Sequence, residues 1–213
     1  MVLFLATHGR ADASAYEALR SFQQSDGGFC TYNDFTNSAT HRSSTDVSAV
    51  ALRALLTELP PDVKAIESCV IYLMRMLEDG NWGSYWYESA DYVALHACRA
   101  LRVLDLMTPE TCRAIEAARR PVSAHDPFQL ASRLLLPPQL SQRSKRDECL
   151  SQLLDLQSVD GGWFARSPVM RPDPWNHASS SSSAGIFDHA ALFTTATAAE
   201  ALARVLEDKY NRG

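Results

Sequence analysis

No stretch of this 213-residue chain stays apolar for the roughly 18 residues that a membrane-spanning helix needs. The opening segment MVLFLA lacks a basic flank and is too short for the apolar region of a secretory signal. Cysteine is sparse. Cys30, Cys69, Cys98, Cys112 and Cys149 are odd in number and show no Cys-x-x-Cys spacing, which argues against a disulfide framework. Free, mostly buried thiols in a cytoplasmic protein are expected. Positive charge is in deficit, 20 Lys and Arg against 25 Asp and Glu, for a formal net charge of −5. That excludes the basic stripe of a nucleic-acid binder. The local run RSKR (143–146) reads as a solvated helix start. His41, His96, His125 and His177 have no metal-ligand spacing such as His-Glu-x-x-His, so neither a metal nor a cofactor is expected.

Period-two alternation is also missing, and with it the signature of a half-buried strand. Helical periodicity takes its place. SAVALRALL (48–56), VALHACRALRVL (93–104), ECLSQLLDL (148–156) and TATAAEALARVL (195–206) repeat apolar residues at i, i+3, i+4 spacing. The chain therefore reads as one all-α domain over 1–213. Its helices fall in pairs near 10–23 and 45–58, 62–78 and 90–105, 108–119 and 126–136, and 143–157 and 188–208. Such hairpins bury their apolar faces only by stacking on their neighbours. The Ser-rich segment within 164–187 reads as a flexible loop, either disordered or a lid.

One phrase recurs at the ends of the outer helices: QQSDGGF (23–29), a reduced LEDGNW (77–82) and QSVDGGWF (157–164). Glycine supplies the positive φ that ends a helix, and Asp accepts backbone N–H groups in the turn. The aromatic then packs back on the next helix, while a glutamine, Gln24 or Gln157, bonds freed backbone there. Gln24, Gly27, Phe29, Gln157, Gly161 and Trp163 form structural clasps on this reading.

These phrases, Gln24 through Phe29 and Gln157 through Trp163, each before an Ala-rich helix, resemble the QW repeat of squalene–hopene cyclases and other class II terpene cyclases. The middle copy keeps Gly80 and Trp82 but has Leu77 where glutamine belongs. The resemblance covers about two-thirds of the chain. It implies an (α/α) toroid of antiparallel hairpins around an apolar, aromatic-lined cavity for an isoprenoid or prenylated molecule, which the enzyme would cyclise or rearrange. It also implies an Asp-x-Asp-Asp acid motif, which this sequence does not contain. A non-catalytic isoprenoid-binding or partner subunit is therefore the alternative. The related toroids use about six hairpins against four here, so the ring either closes with fewer units or is completed by a second copy or a larger partner chain, and an isoprenoid ligand is compatible with peripheral membrane contact.

Aligning the Ala-Leu pairs of the inner helices places Asp46, Tyr92 and Phe193 in one slot at the first turn. Asp46 is the candidate acid, although SSTDVS also suits a helix cap in which Ser43 or Ser44 bonds the helix start and Asp46 complements the dipole. Asp188 and His189 are adjacent candidates for acid–base work, though neighbours point to different helix faces and Asp188 also suits an N-cap. The candidate ligand-lining residues are Phe29, Tyr32, Trp82, Tyr85, Trp86, Tyr92, Trp163 and Phe193, whose ring faces could stabilise a cation by about 0.5–2 kcal/mol each.

Overall fold

A computed structural model describes residues 2–32, 42–84, 90–119, 125–140, 143–164 and 191–210. Helices stand at each of the expected spans, and the close packing joins α4 to α3 and α8 to α7 rather than each outer helix to the inner helix that follows it. Outer helices α2 (Ala13–Arg20), α4 (Val63–Glu78), α6 (Pro109–Ala118) and α8 (Arg143–Asp155) alternate with inner helices α3 (Thr45–Leu55), α5 (Ala90–Val103), α7 (Pro127–Leu134) and α9 (Leu192–Tyr210). Among the described residues the regular structure is helical throughout, with a 3₁₀ turn at Pro138–Leu140. A further helix, α1 (Val2–Thr7), was not foreseen; its six residues are too few to show a period.

Start signals are chemical. The side chains of Asp12, Asp62, Thr108 and Asp126 accept the backbone N–H three residues on, at the starts of α2, α4, α6 and α7. The inner helices stack in chain order, α1 on α3, α3 on α5, α5 on α7 and α7 on α9, while α4 and α8 cover them from outside. Small residues make this close stacking possible: Ala49, Ala94, Ala97, Ala131, Ala198 and Ala201 are fully buried. The row also curls, because Arg99 of α5 reaches past α7 to Glu200 of α9 at 2.7 Å. Two apolar clusters result. The larger joins α3, α4 and α5, and a smaller one joins α7, α8 and α9, with Leu135 packed against both.

The clasps have a definite geometry. Gln157 Nε2 donates to Gly161 O at 2.8 Å, and the residue doing the same in the first clasp is Gln23, to Gly27 O at 3.0 Å. Gln24 instead donates to Phe22 O and contacts Cys30 Sγ, so the glutamine assignment moves by one residue. The two phrases align from their Asp-Gly-Gly turns, and two adjacent glutamines concealed the register. Asp26 and Asp160 each accept the N–H of the second glycine, at 3.0 and 3.1 Å. The aromatic's own N–H goes to a hydroxyl on the inner helix, Phe29 to Ser48 at 2.8 Å and Trp163 to Thr195 at 3.0 Å. The middle clasp has Met76 at the glutamine position and Ala94 at the hydroxyl position; it closes with the backbone bond from Asn81 N–H to Met76 O at 2.9 Å, and Thr45 Oγ1 of α3 donates to Asn81 O at 3.3 Å.

Candidate functional site

A groove with a volume of about 530 Å³ runs along α3. Val2 and Leu3 of α1 form one wall, Leu19 and Phe22 another, and Val47, Val50, Ala51 and Ala54 of α3 the floor. Such a volume falls within the range of about 300–1,000 Å³ usual for small-molecule sites. Two polar side chains reach this apolar surface, Asp46 and Tyr92.

Asp46 is only 2% exposed although it belongs to the first turn of a helix. Its Oδ1 accepts from Ser44 Oγ at 2.8 Å and from Val47 N at 2.9 Å, and its Oδ2 accepts from Ser84 Oγ at 2.6 Å. The expected serine cap is absent. Ser44 occupies the N-cap position but spends its hydroxyl on Asp46, and Ser43 bonds Asp26 at 2.7 Å. Donors from the helix start and from the loop after α4 thus fix both oxygens of this side chain in place.

Tyr92 begins a row of rings. Its centroid lies 4.5 Å from that of His96 and 5.9 Å from that of Phe128, and Phe128 lies 5.3 Å from Phe193. The slot proposed from Asp46, Tyr92 and Phe193 therefore places Asp46 and Tyr92 on one groove, with Phe193 linked to them through Phe128. Phe128 escaped the sequence reading because α7 lacks the Ala-Leu pair used to align its neighbours. Phe193 is 38% exposed.

The other aromatic candidates part company. Phe29, Trp82 and Trp163 are buried in the helix core and do not line the groove. Large rings at a helix joint bury more area by packing than a surface ligand could cover. Trp163 also donates from Nε1 to Leu153 O at 2.6 Å. Tyr32 is exposed and likewise stands off the groove. Tyr85, Trp86, Asp188, His189 and most of the Ser-rich segment lie outside the described residues.

Two polar clusters flank the ring row. Asp91, 2% exposed at the start of α5, receives Arg119 Nε at 2.5 Å and Arg133 Nε at 2.9 Å. One turn below Tyr92, His96 Nδ1 lies 2.7 Å from Arg53 Nη1. Burial, then repulsion from Arg53 and Arg99, pushes the His96 pKa down to about 3, so the imidazole is neutral. Nothing in the sequence marked Asp91, and His96 drew notice only for lacking a metal-ligand spacing. Burial also pushes the Cys98 thiol up to about 12 and raises Cys69 further. All five cysteines are free thiols, and all but Cys112 are buried, as expected.

No helix among the described residues is long and apolar enough to cross a membrane. No protein-family model and no curated protein matches the sequence. Solved structures do. A variant of the type II terpene cyclase MstE from Scytonema superposes with a TM-score of 0.68 at 19% identity, covering 94% of this chain and 69% of that one. A protein from Actinoplanes gives 0.68 at 21% identity, over 94% and 72%. A second MstE variant, in complex with the substrate geranylgeranyl dihydroxybenzoate, gives 0.64 at 20% identity, over 93% and 69%. The chain thus has the all-helical fold found in type II terpene cyclases.

Proposed function

We propose that the protein binds an isoprenoid or prenylated small molecule in the groove along α3 and cyclises or rearranges it, with Asp46 as the proton donor. The observation that carries this reading is a single buried carboxylate set into an otherwise apolar surface, beside the Tyr92 ring. An isoprenoid offers only alkenes, so protonation must come from one strong acid, and the cation that follows needs ring faces rather than water. A ligand that fills the groove excludes water from Asp46, which the Ser44 and Ser84 hydroxyls hold in place. Fold likeness to a cyclase that binds a prenylated benzoate supports the substrate class.

A second reading follows from the same two hydroxyls. If they hold Asp46 as an anion even when the groove is full, the protein binds its isoprenoid without turning it over. Incubation with polyprenyl diphosphates, squalene and prenylated aromatic acids, followed by mass spectrometry, separates the two. The catalytic reading expects products of unchanged mass and altered retention. It also expects Asp46→Asn to lower turnover by about a hundredfold or more with binding retained. Binding without product in the wild-type protein would establish the second reading instead.

A further inference from the structure

We infer that the ligand of this groove carries a single negative charge at one end, a carboxylate, and that Arg53 receives it. This deepens the isoprenoid reading above and rests on it. Asp46, Val50 and Arg53 fall at i, i+4 and i+7 of α3, one stripe of that helix. Asp46 and Val50 line the groove, as does Ala54 next to Arg53. Seven residues of helix separate the two charged positions by about 10 Å. The guanidinium is also joined to the groove sideways, since its His96 partner stacks on Tyr92.

The charges around Arg53 do not balance. Arg53 is partly buried, and no carboxylate among the described residues pairs with it; its short polar contact is to His96. Arg99, the nearest other cation, is already matched by Glu200 at 2.7 Å. Among the described residues, the cluster of Arg53, His96, Arg99 and Glu200 therefore holds one more positive charge than negative. Its own discomfort is visible, because burial and then Arg99 lower the Arg53 pKa and Glu200 only partly offsets them. A partly buried guanidinium whose described partner is a neutral imidazole gains from an anion beside it. A planar carboxylate fits a guanidinium fork in two-point contact. A diphosphate would bring more negative charge than this one guanidinium can answer.

Binding to the purified full chain is measured by calorimetry with geranylgeraniol, geranylgeranoic acid and geranylgeranyl diphosphate, each below its micelle concentration. The acid is expected to bind about tenfold to a hundredfold more tightly than the alcohol, the scale of one charge-assisted hydrogen-bonded pair. Arg53→Gln should bring that ratio close to unity while leaving the alcohol's affinity in place. Arg53→Lys should recover part of it, which also shows that the position tolerates substitution. Equal affinity for acid and alcohol, a preference that survives Arg53→Gln, or tightest binding of the diphosphate overturns the assignment. In each of those cases the groove remains an isoprenoid site. Absence of binding by all of the probes overturns both readings together.

Discussion

Gly27 and Gly161 occupy the same place in two copies of one phrase, with φ of 87° and 86°, yet they tolerate different changes. A Cβ at Gly27 would run into the backbone carbonyl of Ser68 on α4, whereas at Gly161 it meets only Gln157 Nε2 at 4.0 Å. Gly161→Ala is expected to cost about 1–2 kcal/mol, the strain of a left-handed backbone alone. Gly27→Ala should cost roughly 3 kcal/mol or more, since α4 must also move. Urea denaturation of the two variants checks the difference. His96 supplies a pH dependence. In the unfolded chain it takes a proton near 6.5, and in the folded protein only near 3. Between those values the unfolded chain holds the extra proton, so this contribution to stability is intact above about 6.5 and is lost as the pH falls toward 3. His96→Gln should flatten that acid limb by up to about 1.4 kcal/mol per pH unit, measured as unfolding free energy against pH.

Helices are held to one another by the clasps and by ion pairs, of which the Asp91 group is buried most deeply. Asp91 ties the start of α5 to Arg119 just beyond α6 and to Arg133 within α7. Asp91→Ala leaves two guanidinium groups without their anion, a loss of about 3–5 kcal/mol by denaturant unfolding. The order of these helices was legible in the sequence because each rests on a local device, the apolar stripe of α3 or the Asp-Gly-Gly turn before Trp163; which outer helix packs on which inner one was not. The register of the first clasp was less so, since Gln23 and Gln24 differ only in where their amides reach. The site was legible at Asp46 and Tyr92, which share a helical slot. It was not legible at Phe128, Asp91 or Arg53, whose partners lie on other helices at sequence distances that no period encodes. Of the aromatics, Phe29, Trp82 and Trp163 carry the same sequence signal as a cavity lining, and only their packing tells the two apart.

Across the whole molecule, the two apolar clusters are unequal. The one joining α7, α8 and α9 is much the smaller, and Leu135 packs against both. Amides of α8 and α9 should therefore exchange through a partial opening at lower free energy than those of α3 and α5. Native-state hydrogen exchange at low denaturant tests this, with the protection of Leu153 and Ala201 compared with that of Leu52 and Leu101. Uniform protection across the four would mean that the hairpins open as one unit. The groove lies on the side of the larger cluster, against α3, as befits a surface that must keep its shape.

The middle clasp has a bearing on how such arrays can be recombined. The last hairpin carries its clasp within itself, glutamine to glycine and aromatic to hydroxyl, whereas the first also fastens to α4, where Gln23 Nε2 donates to Ala65 O at 2.9 Å. The second hairpin, with Met76 and Ala94 where those fastenings would sit, borrows its hold from arginines of the third. A chimera cut between α5 and α6 would sever that loan, so grafts between proteins of this architecture should carry α4 through α7 as an indivisible block.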